Sequence, residues 1–270
     1  MKSLFLQDWQ TFLRYEDLPG KDPVRIYLPG LGGAASATYL QIVADPVLAG
    51  HRSLLVDFLG SGFSDRPENF KHSLDEHARS VAMLLDHLGL KDCVVVGHSM
   101  GGSVAITLAD LRPELVSRLV VSEANLDPGG GSFSRKVAAQ SEEAFVKEGF
   151  PAFLQGLREA AKGGDATAAA LAGIFQVAAP HAVYRQAVAL VHGISPAMRM
   201  RFYELPIPRV FIYGERSVPK DEASATPDAP DPNQLMKHGI RVLVVPGAGH
   251  SMMFDNPTGL VQVLKDALAV

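Results

Sequence analysis

The apolar positions of this chain fall into two recurring patterns. Short runs of apolar residues predict buried strands at 24–28, 53–57, 93–96, 118–122, 209–213 and 241–245. Between the strands, segments such as 73–87 carry an apolar residue every three or four positions, which predicts helices that pack one face against a sheet. Alternating strands and amphipathic helices are typical of parallel sheets with helices on both faces. The sequence therefore predicts an α/β fold with a mostly parallel, doubly wound sheet.

The segment 128–203 breaks this alternation. It opens at the loop sequence Asp127-Pro128-Gly129-Gly130-Gly131, and the remainder is rich in Ala, Gln, Glu and Phe with no strand-like run. We predict a helical cap or lid at 128–203, inserted into one α/β core formed by 1–127 and 204–270. Part of its apolar side chains should line a substrate cavity: Phe133, Phe145, Phe150, Phe153, Leu154, Leu157, Phe175, Met198 and Met200.

Composition narrows the class of partner. A net charge of −4 and a pI near 6.1 give no basic surface for nucleic acid or anionic membranes, so we expect a small neutral partner. Cys93 is the single cysteine, which excludes a disulfide within the chain and favours a reducing compartment. The apolar stretch near the N-terminus is interrupted at Gln7 and Asp8, unlike a signal peptide. We expect a cytoplasmic protein without a membrane partner, and no pattern indicates its oligomeric state.

A serine stands where the strand at 93–96 should turn sharply into a helix. The residues are Gly97-His98-Ser99-Met100-Gly101, a G-x-S-x-G sequence between an apolar run and a helical pattern. In such a turn glycines avoid backbone collisions, and the serine hydroxyl is pushed outward. The backbone N–H of Met100, at the helix start, would face any negative charge that forms beside the hydroxyl. The alternative interpretation is a serine that merely caps the helix.

Among nine histidines, His250 is the predicted base for this serine. It follows the strand at 241–245 and the loop Pro246-Gly247-Ala248-Gly249. Residues at the carboxyl ends of parallel strands meet at one edge of a sheet, so His250 should lie near Ser99. The alternative is that His250 caps the final helix. We expect His98, beside the nucleophile in the tight turn, to pack against or line the pocket.

These blocks together resemble the α/β-hydrolase superfamily. The resemblance rests on the elbow around Ser99, on Gly249-His250, on the turn-rich segment 57–64 and on Leu28-Pro29-Gly30-Leu31-Gly32-Gly33. It implies an α/β-hydrolase fold with an inserted lid. It also implies that the backbone amides of Leu31 and Met100 form the oxyanion hole. Many members carry His where this chain has Pro29, a departure that should alter loop packing more than the amide donor.

The third member of a catalytic triad is less evident. The resemblance would place an aspartate after the strand at 209–213, but the chain reads Gly214-Glu215-Arg216-Ser217. Glu123 directly follows the strand at 118–122, where a buried carboxylate requires a partner, and some family members carry their acid there. We therefore predict Glu123 as the acid. Glu215, Asp127, Asp221 and the absence of any acid remain as alternatives.

The predicted activity is hydrolysis of carboxylic esters of small to medium hydrophobic substrates, with Ser99 as nucleophile and an acyl-enzyme intermediate. The mechanism requires no cofactor and no metal. Haloalkane dehalogenases and epoxide hydrolases, which share the fold, have aspartate in the place of Ser99. Lactone opening or hydrolytic carbon–carbon cleavage is the alternative within the fold. A non-catalytic ligand-binding module is the alternative from another class.

Overall fold

Eight strands form a single sheet in the computed structural model, which describes residues 1–269. The strands are β1 (Lys2–Leu6), β2 (Thr11–Leu18), β3 (Lys21–Leu28), β4 (His51–Asp57), β5 (Cys93–His98), β6 (Val116–Ser122), β7 (Arg209–Gly214) and β8 (Arg241–Val245). Their order across the sheet is β1-β2-β4-β3-β5-β6-β7-β8. Strand β2 runs antiparallel to both of its neighbours, and the pairs from β4 through β8 are parallel.

Helices pack against both faces of this sheet, and further helices lie in the long segment between β6 and β7. They are α1 (Ala35–Val43), α2 (Leu74–His87), α3 (Met100–Leu111), α4 (Ser132–Ala138), α5 (Glu142–Ala144), α6 (Phe150–Lys162), α7 (Ala166–Gln176), α8 (Pro180–His192), α9 (Met198–Glu204), α10 (Pro232–Lys237), α11 (Met252–Asp255) and α12 (Pro257–Leu268). Helices α2 and α3 pack together with one apolar cluster, while α1 and α12 pack with the other. The predicted doubly wound α/β-hydrolase architecture is confirmed.

Two N-terminal strands, β1 and β2, are absent from the sequence prediction. Strand β1 is mostly exposed and pairs only with β2, so its residues lack the continuous apolar character of the inner strands. Helix α1 was also missed, because Ala34 precedes it and provides no side-chain cap that would mark its start. The inner strands were predictable because burial on both faces selects long apolar runs.

Helices α4 to α9 all lie between the adjacent strands β6 and β7, and we call residues 132–204 the helical insertion. The insertion has an apolar cluster of its own that includes Phe145, Phe150 and Leu154. Its position agrees with the predicted cap at 128–203, whereas the division into domains stays a prediction. No individual helix in residues 1–269 combines the length and apolar character required to cross a membrane, although the bent pair α7 and α8 meets both criteria jointly.

Candidate active site

Ser99 occupies a strained turn between β5 and α3. Its backbone has φ 53° and ψ −122°, and its side chain makes no capping hydrogen bond to the helix. A Cβ atom at Gly97 would come 2.4 Å from the Gly101 carbonyl oxygen, and one at Gly101 would come 2.4 Å from that of Leu28. Only glycine fits at either place. The geometry agrees with a nucleophile elbow and excludes the helix-cap interpretation.

Glu123 lies directly beyond β6 and contacts His250. One carboxylate oxygen, Oε2, is 2.5 Å from His250 Nδ1, and the other accepts a hydrogen bond from the Gly214 N–H at 2.8 Å. The Glu123 side chain is 3% exposed, whereas that of His250 is 45% exposed. Both carboxylate oxygens are therefore used, one to hold the end of β7 and one to hold the imidazole.

The His250 ring is held in one orientation by this contact. Removal from water lowers the pKa of His250, but the hydrogen bond to Glu123 and the charge of Glu123 act in the opposite direction, and the net effect raises the pKa above 6.5. Because Nδ1 is engaged by the carboxylate, Nε2 is the nitrogen left for proton transfer. His98 lies beside it, with ring centroids 4.8 Å apart, and burial lowers the pKa of His98 so that this ring stays neutral.

Ser99 and His250 line the same cavity, which has a volume of about 480 Å³. Among residues 1–269 no hydrogen bond joins the Ser99 hydroxyl to the His250 ring. Serine–imidazole contacts are often long in ligand-free enzymes and tighten as substrate binds. As predicted, His98 lines the cavity; its Nδ1 lies 3.1 Å from the Ser122 hydroxyl.

Leu31 is the second residue of a tight turn next to the elbow. The turn is closed by the Gly33 N–H, which donates to the Gly30 carbonyl at 2.9 Å, and Gly32 has φ +66°. A Cβ atom at Gly30 would be 3.4 Å from the Ser99 Cβ, so the turn borders the serine. Within residues 1–269 the amides of Leu31 and Met100 donate to no protein acceptor, which leaves both available to an oxyanion.

The other candidate acids have different partners. The exposed Glu215 accepts a hydrogen bond from the Gly247 N–H at 2.7 Å. Asp127 forms an ion pair with Arg199, and Asp221 caps a short 3-10 turn. In the part of the chain that the structure describes, Glu123 is the candidate acid that contacts His250.

The helical insertion supplies most of the apolar side chains of the cavity, and the core supplies most of the polar ones. The insertion contributes Phe133, Phe153, Leu157, Leu171, Ile174 and Phe175. Of the apolar residues named from the sequence, Phe145, Phe150 and Leu154 instead pack within the insertion, and Met200 is exposed. Asp228 also lines the cavity, and no pattern in the sequence indicates this because the residue lies in a proline-rich loop.

The mostly parallel sheet and the sharp strand-to-helix turn at this cavity are features of the alpha/beta hydrolase fold. A family model for the alpha/beta hydrolase fold matches residues 23–205, and the chain belongs to this family.

Comparisons with individual proteins agree with this assignment. The sn-1-specific diacylglycerol lipase ABHD11 of Mus musculus is 41% identical over 101 residues, which cover 37% of this chain and 32% of the lipase. The chain thus spans about a third of that curated relative. A thermophilic esterase from Thermogutta terrifontis superposes with a TM-score of 0.78 at 17% identity, covering 99% of this chain and 98% of the esterase. The enol-lactonase of Burkholderia xenovorans superposes with a TM-score of 0.76 at 18% identity, covering 99% of each chain. At these identities the structural likeness concerns the fold.

Proposed function

We propose that this chain hydrolyses neutral carboxylic esters of small to medium hydrophobic substrates. The observation that carries the proposal is the 2.5 Å contact between Glu123 and His250 at the cavity that Ser99 also lines. A carboxylate, an imidazole and a serine at a sharp strand-to-helix turn are the parts of an acyl-transfer site. The proposed roles are acid for Glu123, base for His250 and nucleophile for Ser99.

The reaction proceeds in two halves. His250 Nε2 takes the proton of Ser99 Oγ while Oγ bonds to the ester carbon, and the Leu31 and Met100 amides bind the oxyanion. The protonated imidazole gives its proton to the alcohol as the carbon–oxygen bond breaks, which leaves an acyl-serine. His250 then takes a proton from water while the water oxygen bonds to the acyl carbon. The imidazolium returns this proton to Ser99 Oγ as the bond between the acyl carbon and Oγ breaks, which frees the carboxylic acid and restores the serine hydroxyl. Glu123 stabilises the imidazolium in both halves.

The cavity lining supports a neutral, hydrophobic substrate. Phe133, Phe153 and Phe175 give the insertion side an apolar surface, while Glu123 and Asp228 are the acidic residues that line the cavity. Within residues 1–269 no lysine or arginine lines it to balance an anionic substrate. A lactone is a cyclic ester and undergoes the same chemistry, so the likeness to an enol-lactonase makes neutral lactones a second class to include.

A chain-length series of p-nitrophenyl esters with wild type and Ser99→Ala tests the proposal. We expect hydrolysis by wild type, a preference for uncharged acyl groups over carboxylate-bearing ones, and loss of nearly all turnover in Ser99→Ala. A fluorophosphonate probe should label wild type and not the variant. Folded wild type that neither reacts with the probe nor cleaves any ester or lactone would instead indicate a ligand-binding module.

A further inference from the structure

A buried glutamine joins the helical insertion to the turn that carries Leu31. Gln186 lies in α8, its side chain is fully buried, and its Oε1 accepts a hydrogen bond from the Gly32 N–H at 2.9 Å. Its Nε2 is also buried and has no hydrogen-bond partner in residues 1–269. A buried donor without a partner carries a desolvation cost. An apolar residue would avoid that cost, so the bond to Gly32 is the contact that accounts for a glutamine here.

This bond constrains the peptide that follows Leu31. The Gly32 N–H and the Leu31 C=O belong to one planar peptide unit, so fixing the N–H fixes the rotation on the C-terminal side of Leu31. The hydrogen bond from Gly33 to Gly30 closes the turn around it. Because the Gly32 N–H donates to Gln186, the Leu31 N–H is the one of these two neighbouring amides that can donate to an oxyanion.

Two other side chains of the insertion enclose the same turn. A Cβ atom at Gly32 would lie 2.5 Å from Phe175 Cε1 and 3.3 Å from Val183 Cγ2. Phe175 belongs to α7 and Val183 to α8, so two helices of the insertion pack against the same glycine of the core. The conformation of the turn therefore depends on how the insertion is seated.

We infer that Gln186 is a positioning residue that holds the Leu31 amide in place for the oxyanion, so that the site is complete only when the helical insertion is seated on the core. The inference rests on the proposed function. An amide held in advance stabilises the transition state more than the bound ester, because the negative charge develops only during attack. Loss of the Gln186 bond should thus lower kcat and leave KM nearly unchanged.

The variant Gln186→Met removes the acceptor while keeping a side chain of similar length, and Gln186→Leu is the second variant should Met disturb packing. With p-nitrophenyl butyrate we expect kcat to fall by about tenfold to a hundredfold, with KM within about twofold. A trifluoromethyl ketone, which forms a tetrahedral oxyanion on the serine, should bind weaker by the same factor as kcat falls. Deuterium exchange at the Gly32 amide should become faster.

Arg66→Met is the matched control. Arg66 Nη2 donates to the Val177 carbonyl at 2.7 Å, a bond that also joins core and insertion but includes no atom of the Leu31 turn. We expect wild-type kcat and ketone affinity in this variant. Wild-type kcat and ketone affinity in folded Gln186→Met, or an equal loss in Arg66→Met, would overturn the inference. An inactive wild type would instead contradict the proposed function, and Gly32 exchange would still report on the bond.

Discussion

The loops after β6 and β7 each present a glutamate near the carboxyl edge of the sheet, and they use it differently. Glu123 is buried, and its carboxylate joins the Gly214 N–H to the His250 ring. Glu215, exposed, accepts a hydrogen bond from the Gly247 N–H. A buried carboxylate stabilises an imidazolium more strongly than an exposed carboxylate whose charge is screened by water. Burial and direct contact with His250, rather than a position after β7, are therefore the grounds on which we propose Glu123 as the acid.

The backbone explains why Glu123 is held inward. Its φ of 44° is left-handed, which a glutamate adopts at an energetic cost, and its N–H donates to the Ile212 carbonyl at 3.1 Å. Strand β7 thus fixes both the backbone and the carboxylate of Glu123. Strained backbone at a buried charged residue is a feature that clusters at functional sites.

The largest expected effect separates the two glutamates directly. Glu123→Gln keeps the shape of the side chain but removes the charge that stabilises imidazolium, so we expect kcat/KM to fall by about 10³–10⁴-fold. Glu215→Gln should stay within about twofold of wild type. Both are measured with p-nitrophenyl butyrate at pH 8, with thermal unfolding to verify folding. The reverse ranking would move the acid to the loop after β7.

A transfer of the acid between the loops gives a smaller effect. Ser217 follows β7 and lines the cavity, so Ser217→Asp in the Glu123→Gln background places a carboxylate on the other loop. We expect the double variant to recover about tenfold in kcat/KM over Glu123→Gln, because a charge near His250 again favours imidazolium. Ser217→Asp alone is the control and should change activity little. If activity is not recovered, a carboxylate on the loop after β7 cannot replace the one at position 123 in stabilising the imidazolium.

The pH profile sharpens the comparison further. Glu123 contributes to raising the pKa of His250 above 6.5. Because His250 acts as a base only when it is neutral, wild-type kcat/KM should decrease as the pH is lowered through this raised pKa. Glu123→Gln removes that influence, which lowers the pKa of His250. The acid limb of its residual activity should therefore move to lower pH. The limb of Glu215→Gln should coincide with that of wild type.

The sequence predicts these glutamates and His250 because each lies in the segment that follows a strand, and the carboxyl ends of parallel strands meet at one edge of the sheet. Gln186 could not be predicted in this way. It is a polar residue in an amphipathic helix, where the default is a solvated face, and its burial depends on how α8 sits against the Gly32 turn. Strand β1 was missed for a related reason, since its half-exposed pattern does not require a buried environment.

The smallest effect concerns what Glu215 does instead of catalysis. Its Oε2 holds the Gly247 N–H at 2.7 Å in the loop that leads to His250. Because the side chain is exposed, water replaces much of this bond in Glu215→Ala, and we expect the melting temperature to fall by only about 1–3 °C. Glu215→Gln keeps an acceptor, so its melting temperature should lie between those of Glu215→Ala and wild type.

The activity of Glu215→Ala should stay within about threefold of wild type, because Asp255 still accepts from the Gly249 N–H at 2.8 Å and holds the same loop. A loss as large as that of Glu123→Gln, without loss of folding, would mean that Glu215 contributes to the imidazole and that the two loops share one role.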